Sequence, residues 1–280
     1  MKSFVSSAES VLPHRIRIPM SLLRRLSYYA RSIPVALSGF ANPLEIAVAA
    51  FRRKPFIARL RSGDRFAART AMDAWVIKET CLDRDYERAD FVIQDGWTLV
   101  DIGAGLGDFA ISVARRFPNG RVLAFEPFGE SFGLLERNLA LNGVQNVVAR
   151  RLAIGAAAGV ARLSLGTGVA VQHSTARADQ ANVGETVAEI PLGAALDAAG
   201  AAHCDFLKLD CEGAEYAILR QAASDGTLAR ISRISMEYHD GVTEGSGAWL
   251  ADFLRARGFT VTLEPNPAHG NIGFLRAASA

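Results

Sequence analysis

The sequence predicts an α/β protein built on a doubly wound sheet of seven mostly parallel strands. From Thr98 onward, short apolar segments alternate with stretches of helical periodicity, and a glycine-rich turn follows the first segment. This alternation is typical of parallel strands covered by helices on both faces. The predicted strands are 98–102, 121–125, 147–152, 206–209, 231–237, 260–263 and 271–275, and the predicted helices are about 108–117, 130–142, 191–199, 213–223 and 246–257.

The last two strands are predicted to form an antiparallel C-terminal hairpin at the sheet edge, because no helix separates them. Region 153–190 is the least regular part of this half of the chain. We expect a short strand pair there, at about 160–165 and 186–190, with a loop between the two strands.

Residues 1–90 are predicted to form an N-terminal extension of helices and a hairpin, and residues 91–280 the main domain. Leucines at helical spacing, with arginines between them, predict a helix over 21–30. Such a helix could lie on a membrane surface, or it could pack on its own protein or on a second subunit.

Three further elements are predicted within the extension. Asn42 followed by Pro43 predicts an N-cap and first helical position, with a helix that runs to about Phe51. A Ser-Gly-Asp turn between two apolar segments predicts a β-hairpin over about 56–69. Helical spacing then returns over 71–81.

The composition is that of an ordinary folded protein, with 50% apolar and 21% charged residues among 280. The three cysteines have neither zinc-ligand spacing nor the pattern of a disulfide framework, which favours a reducing compartment. No apolar segment is long enough to span a membrane, and the N-terminus does not resemble a signal peptide. We therefore expect a cytoplasmic protein.

The charge is unevenly distributed along the chain. Residues 1–90 carry 16 Lys and Arg against 9 Asp and Glu, a net charge of +7, whereas the remaining 190 residues carry 15 against 20, a net charge of −5. A basic segment can contact nucleic acid or a lipid surface, but surface charge is more often a solvated face or a contact with the rest of the chain. We expect no nucleic-acid partner, and leave peripheral membrane contact by the basic N-terminus and a homodimer open.

The glycine-rich turn predicts a cofactor site at the end of the first strand. Its glycines are spaced G-x-G-x-G, whereas the dinucleotide fingerprint is G-x-G-x-x-G. Asp101 precedes the first glycine, and a carboxylate there would repel a pyrophosphate but attract the ammonium of a methionine moiety. Glu126 ends the next strand, where an acid can accept hydrogen bonds from ribose hydroxyls. Together these features favour S-adenosylmethionine (SAM), with S-adenosylhomocysteine as product.

The sequence resembles the FkbM-type methyltransferases, a family that depends on SAM and mostly O-methylates natural products and glycans. The resemblance covers about residues 56–275, and its most specific motif is K-x-D-x-E-G-x-E. It implies a Rossmann-like class I methyltransferase sheet. The departure is Gly105-Leu106, where the family often has Asn followed by Ile or Val. The resembling segments are VDIGAGLGDF at 100–109, AFEPF at 124–128, LERNLALNG at 135–143, AIG at 153–155 and FLKLDCEGAE at 206–215.

With the resemblance, a set of cofactor-binding residues can be predicted. The adenine is expected beside the end of the third strand, and Ser174 could reach the cofactor from the irregular loop. The full expected set is Asp101, Gly103, Ala104, Gly105, Gly107, Phe109, Glu126, Pro127, Ala153, Ile154, Ser174 and Asp210.

Charged residues at the end of the fourth strand predict a catalytic cluster. Lys208 and Asp210 share one strand face, at the carboxyl end where ligands bind. Asp210 could act as general base, substrate anchor or cation ligand. Glu212 is assigned a functional role on the resemblance alone. For Glu215 we favour a structural role, because acids are stabilised in the first turn of a helix.

His239 and Glu237 at the end of the fifth strand extend this cluster. Imidazole titrates near neutral pH and can receive the proton of a hydroxyl that is methylated. Glu237 could orient the imidazole or hold the substrate. We expect His239 at the pocket rim. We predict no metal site, although Asp205, Asp210 and Glu237 could together hold a divalent cation.

Three functions remain open from the sequence. The favoured one is O-methylation of a small-molecule natural product or a glycan. The alternatives are an RNA methyltransferase that uses the basic N-terminal region, and a non-catalytic SAM-binding protein.

Overall fold

The computed structural model describes residues 20–88, 91–163, 184–211, 213–241, 245–266 and 271–279. Among these residues, no helix has the length and apolarity needed to cross a membrane. In chain order the elements are α1 (Met20–Gly39), α2 (Pro43–Phe51), β1 (Phe56–Arg59), β2 (Arg65–Ala68), α3 (Ala71–Ile77), a π-helix (Lys78–Asp83), β3 (Thr98–Ile102), α4 (Asp108–Arg116), β4 (Arg121–Phe125), α5 (Gly129–Asn142), β5 (Val147–Arg150), β6 (Ala153–Gly155), β7 (Gly159–Arg162), β8 (Thr186–Pro191), α6 (Leu192–Ala198), β9 (Phe206–Leu209), α7 (Glu215–Ser224), a 3-10 helix (Thr227–Arg230), β10 (Arg233–His239), α8 (Gly247–Arg255), β11 (Phe259–Pro265) and β12 (Ile272–Ser279).

The main sheet has seven strands in the order β11-β12-β10-β9-β3-β4-β5. The five strands from β10 to β5 are parallel, and β12 is antiparallel to both of its neighbours. The predicted doubly wound sheet with an antiparallel C-terminal hairpin is confirmed. The second strand of this hairpin, β12, lies between β10 and β11, so that β11 is the edge strand on this side of the sheet.

The core lies on both faces of this sheet, because successive side chains of a strand point to opposite sides. On β3, Leu99 packs with Phe206 on one face, whereas Val100 packs with Leu207 on the other. All four side chains are fully buried. The central strands are thus apolar along most of their length, and charged residues appear where these strands end.

The N-terminal hairpin β1–β2 is tied to the main sheet by a buried asparagine on α5. The Asn138 Oδ1 accepts the Ala67 N–H at 2.6 Å, and its Nδ2 donates to Ala67 O at 3.2 Å and to Leu106 O at 2.9 Å. Apolar side chains of the extension, such as Phe66 and Ile77, share one core with Leu106. The boundary between extension and main domain at about residue 90 stays a prediction.

The predicted elements of the extension appear with three changes. Helix α1 runs from Met20 to Gly39, well beyond the predicted end at residue 30. Asn42 precedes α2 as expected, but its side chain does not cap the helix. Instead it donates to Ile57 O at 2.8 Å and accepts the Arg59 N–H at 2.9 Å, because β1 passes alongside with unpaired backbone groups. Helix α3 stops at Ile77 and continues as the π-helix.

The irregular region contains a separate three-stranded sheet in the order β6-β8-β7. Strands β7 and β8 pair antiparallel, which confirms the predicted strand pair. Strand β6 was not predicted as a separate element. It pairs parallel with β8 rather than extending β5.

Candidate active site

Four strands of the main sheet carry polar residues at their carboxyl ends. Asp101 lies near the end of β3, Glu126 directly after β4, Asp210 directly after β9, and His239 at the end of β10. Because β3, β4, β9 and β10 are parallel, these residues share one edge of the sheet.

The glycine turn after β3 lies between β4 and the segment that follows β9. The Gly103 and Ala104 N–H groups both donate to Phe125 O, at 3.0 and 3.1 Å. Gly103 has φ +76°, and a Cβ on it would lie 1.8 Å from Asp210 O. A side chain is therefore excluded at Gly103. At Gly105 a Cβ would meet no atom of the described residues within 4 Å, so the turn is open there with respect to that part of the chain.

Asp101 and Lys208 form a buried ion pair beneath this turn. The two residues are register partners on adjacent strands, and Lys208 Nζ lies 2.9 Å from Asp101 Oδ1. The same ammonium donates to Gly103 O at 3.0 Å. Lys208 is thus held against the cofactor turn. The second oxygen of Asp101, Oδ2, is buried and has no hydrogen-bond partner among the described residues.

Glu126 is fixed by the backbone of both neighbouring turns. Its Oε2 accepts the Gly105 N–H at 2.7 Å, and its Oε1 accepts the Phe128 N–H at 2.9 Å. The Arg150 carbonyl accepts the Glu126 N–H at 3.2 Å, which brings the chain leaving β5 alongside. Each carboxylate oxygen keeps acceptor capacity for a further donor, such as a hydroxyl.

The electrostatics of the turn are dominated by buried carboxyl groups. Burial raises the pKa of Glu126 to about 7 and that of Asp108 to about 6, and it raises the pKa of Asp101 above its usual value. Burial opposes the charge on Lys208, but the carboxylates of Asp101, Asp210 and Asp108 outweigh it and raise the pKa of the ammonium. Four carboxyl groups, those of Asp101, Asp108, Glu126 and Asp210, thus interact with one ammonium.

A cationic ligand is the kind of molecule that such a site can accept. The protein provides excess negative charge, an unsatisfied carboxylate oxygen on Asp101 and an open glycine turn. SAM carries a sulfonium, an ammonium and one carboxylate, a net positive charge. The residues at this edge therefore fit SAM.

A second cluster lies next to the turn, at the ends of β9 and β10. Asp210, Glu237 and His239 each offer one ligand atom, and these atoms all lie within 4.8 Å of one another. Tyr86 donates its hydroxyl to Asp210 Oδ2 at 2.7 Å. The His239 Nε2 lies 3.9 Å from Glu237 Oε2. This set of one imidazole and two carboxylates could receive a proton or hold a divalent cation.

His239 is buried, whereas the sequence predicted it at the pocket rim. Its Nδ1 lies 3.7 Å from Oε1 of Glu215, a carboxylate that is completely buried. The same Oε1 accepts the Cys211 N–H at 2.9 Å and thereby closes the turn before α7. The structural role expected for Glu215 has support in this bond, and the contact with His239 adds a second role.

Several other predicted residues lie around this edge. The Phe109 ring is part of the core, stacked on Phe206 with its centroid 6.0 Å away. Pro127 is buried directly after Glu126. Ala153 and Ile154 are buried in β6, close to where the chain leaves β5. Gly107, with φ +91°, starts α4 against Leu135. The predicted residues Glu212 and Ser174 lie outside the described residues.

Asp205 does not belong to the candidate site, which corrects its proposed place in a cation site. It precedes β9, whereas Asp210 follows that strand, so the two are roughly 16 Å apart along it. The Asp205 Oδ2 accepts the Thr98 N–H at 2.8 Å at the opposite edge of the sheet.

Tyr86 and Asp108 are the site residues that the sequence did not reveal. Tyr86 lies in an irregular segment after the π-helix, and its ring centroid is 5.1 Å from Lys208 Nζ. No periodicity predicts that this segment reaches the sheet edge. In the sequence, Asp108 is an ordinary acid in the first turn of α4, and this position does not predict that its side chain is buried.

This sheet order, with an acidic pair at the ends of β3 and β4 around a glycine turn, defines a methyltransferase of the SAM-dependent, Rossmann-like class. Residues 101–261, more than half of the chain, match the sequence model of the methyltransferase FkbM domain. The chain belongs to the FkbM methyltransferase family. Family and fold together imply the use of SAM.

Three relatives show how far the similarity extends. The chain is 26% identical to the AMB antimetabolite synthetase AmbE of Pseudomonas aeruginosa over 73% of its own length, but spans only 11% of AmbE. It is 28% identical to the 31-O-demethyl-FK506 methyltransferase FkbM of Streptomyces tacrolimicus, over 75% of this chain and 90% of that protein. It is 25% identical to Methyltransferase 1 of Beauveria bassiana, over 68% of this chain and 82% of that protein.

Proposed function

We propose that the chain transfers the methyl group of SAM to a hydroxyl oxygen of a small-molecule natural product or a glycan. The observation that carries this proposal is the convergence of Asp210, Glu237 and His239 beside the cofactor turn. Methylation of a hydroxyl needs a group that takes its proton, and this cluster offers such a group. The relative named for 31-O-demethyl-FK506 supports a natural-product acceptor.

The cofactor would supply a methyl group on a sulfonium, and the neutral thioether of S-adenosylhomocysteine would be the leaving group. The protein then has to hold and orient both molecules and to exclude water. Asp101 places a negative charge beneath the glycine turn that attracts the ammonium, and Glu126 accepts hydrogen bonds from the ribose. Lys208 is a positioning residue, because it fixes Asp101 and Gly103. The apolar Ala153 and Ile154 lie beside the adenine.

His239 is the proton acceptor in this proposal. As the bond between the acceptor oxygen and the methyl carbon forms, the hydroxyl proton moves to Nε2, the ring nitrogen nearer Glu237. Glu215 lies behind the ring and favours the tautomer with the proton on Nδ1, in which Nε2 is the basic nitrogen. The carboxylates on both sides stabilise the imidazolium that results. Asp210, oriented by Tyr86, anchors the acceptor hydroxyl.

Transfer of label from methyl-labelled SAM tests this function directly. The chain is incubated with panels of hydroxylated natural products and oligosaccharides, and products are examined by mass spectrometry for an added methyl on oxygen. We expect O-methylated product with the wild-type chain, and its rate of formation should fall by about 100-fold or more with His239→Asn. Label entering an added RNA pool would instead favour the RNA methyltransferase. Tight SAM binding without transfer to any acceptor would favour the non-catalytic alternative.

Removal of metal tests whether the cluster of Asp210, Glu237 and His239 accepts the proton directly or instead holds a divalent cation. With His239 as acceptor, activity is expected to survive dialysis against EDTA. Loss of activity on dialysis, with recovery on adding Mg²⁺ or Mn²⁺ but not Na⁺, would assign Asp210, Glu237 and His239 to a cation instead.

A further inference from the structure

We propose that helix α2 and the basic segment that follows it form a docking surface for an anionic lipid bilayer. This surface consists of Leu44, Val48 and Phe51 on α2 together with the basic segment Arg52–Lys54. It lies in the N-terminal extension, apart from the residues that bind SAM and acceptor, and it adds a membrane partner to the proposed function.

The apolar half of the surface is a stripe along one face of α2. Leu44, Val48 and Phe51 are spaced at i, i+4 and i+7, which places them on one side of a helix. Their exposed fractions are 80%, 50% and 90%. The opposite side contributes Ile46 to the core. A helix of a folded domain normally buries its apolar face, so the side that α2 presents to solvent is the unusual feature.

The exposed apolar side chains of the described chain are concentrated in this region. Nine large apolar residues are exposed among the described residues, and seven of them lie on α1, α2 and α3. Helix α3, which packs against α2, adds Met72 and Val76, and α1 adds Ile33 and Leu37. Single exposed apolar residues are ordinary, but such clustering is typical of an interaction surface.

The basic half of the surface follows the stripe without a gap. Arg52, Arg53 and Lys54 are all exposed, and none of them forms an ion pair with a residue that the structure describes. Helix α2 ends in a left-handed turn at Arg53, with φ +52°. Glycine is favoured at such a position, yet this chain has a cation there.

The positive charge of Arg52–Lys54 favours an anionic bilayer over a second copy of the chain as the partner of this surface. A two-fold contact through α2 would bring two basic segments together. The one acid of α2, Glu45, is already paired with Arg59 at 3.1 Å and does not compensate them. An anionic bilayer complements both halves, because its headgroups attract the cations and its interface accepts leucine and phenylalanine side chains.

Vesicle binding tests the proposal with the full chain. Co-sedimentation is measured with vesicles of phosphatidylcholine alone and of phosphatidylcholine mixed with phosphatidylserine. We expect binding to the anionic vesicles that weakens as salt is raised. The double variant Leu44→Ser/Phe51→Ser should lower the partition coefficient by about tenfold or more, because it removes two large apolar side chains from the interface. The variant Arg52→Glu/Arg53→Glu should lower it by a similar factor.

A matched control comes from strand β7 in the separate small sheet. Val160 is an exposed apolar residue and Arg162 an exposed basic one, so Val160→Ser/Arg162→Glu makes the same kinds of change elsewhere. It should bind as the wild type does. Because all the altered side chains are exposed, thermal unfolding should change little in any variant.

Three results would overturn the proposal. The first is equal binding to neutral and anionic vesicles, or none to either. The second is loss of binding in the control to the same extent as in the stripe variant. The third is a dimer in size-exclusion chromatography that Leu44→Ser/Phe51→Ser converts to monomer while vesicle binding is absent, which would make a second copy the occupant.

Discussion

The two edges of the central sheet carry similar residues in very different states. At the amino edge, Asp205 accepts a backbone N–H, and His203 lies 2.8 Å from the hydroxyl of Ser232 in an exposed position. At the carboxyl edge, Asp101 is fully buried, and one of its oxygens has no hydrogen-bond partner in the part of the chain that the structure describes. His239 is buried there between two carboxylates. Each of the two edges thus carries an aspartate and a histidine.

The difference lies in what satisfies these groups. At the amino edge, hydrogen bonds within the protein and with solvent satisfy the polar side chains, so these residues stabilise the strand ends. The carboxyl edge collects more negative charge than its lysine neutralises, which a folded chain tolerates only at a free-energy cost. A cationic ligand removes that cost. Charge left unsatisfied by the fold, rather than residue type, therefore marks the functional edge.

The largest effect is expected for His239→Asn. Loss of the proton acceptor should lower kcat by about 10²- to 10⁴-fold, with the Kd for SAM unchanged, because His239 does not contact the cofactor in our proposal. Steady-state kinetics and calorimetry measure the two quantities. The matched change at the other edge, His203→Asn, should leave both unaltered. A similar loss of kcat in the two variants would remove the distinction between the edges.

Glu215→Gln refines the same prediction. Glutamine keeps an oxygen that can accept the Cys211 N–H but removes the charge beside His239. We expect kcat to fall by about tenfold and its pH profile to shift, because the imidazolium loses a stabilising neighbour. A purely structural role would show instead as a lower unfolding temperature with an unchanged pH profile.

Asp101→Asn should chiefly weaken cofactor binding. It removes the negative charge that attracts the ammonium in our proposal, and it also removes the ion-pair partner of Lys208. The Kd for SAM is expected to rise by roughly 100-fold, the scale of losing one buried charged hydrogen bond. Calorimetry at fixed pH measures it, and circular dichroism confirms folding. Wild-type affinity in a folded variant would contradict the assignment of Asp101.

The fold was largely predictable from the sequence, whereas the site was predictable only in part. Strands β3, β4 and β9 match their predicted bounds because each is a short apolar run between clear turn signals. The glycine turn and its two acids follow from local spacing. Tyr86 could not be found, because its place at Asp210 depends on packing between segments 124 residues apart. Asp205 was misplaced because a strand's two ends look alike in sequence.

Glu126 makes the stability of the ligand-free protein depend on pH. Its pKa is about 7 in the folded chain, against an ordinary value of 4.5. The folded state therefore binds more protons than the unfolded state between these values, and the free energy of unfolding should fall as pH rises through that window. The Glu126 contribution is at most about 3 kcal/mol. Urea unfolding between pH 4 and 8 should show that the free energy of unfolding falls less steeply with pH in Glu126→Gln than in the wild type. An equal pH dependence in the two proteins would refute the raised pKa of Glu126.

The smallest effect is expected at the amino edge, for Asp205→Ala. This change removes one hydrogen bond, from the Thr98 N–H to a half-exposed carboxylate, and water can replace the lost acceptor. The free energy of unfolding should fall by about 1 kcal/mol, with kcat and the Kd for SAM unchanged. Urea unfolding and calorimetry on one preparation test both halves. A loss of SAM affinity there would mean that the two edges are coupled through β9, since this strand begins directly after Asp205 and contains Lys208.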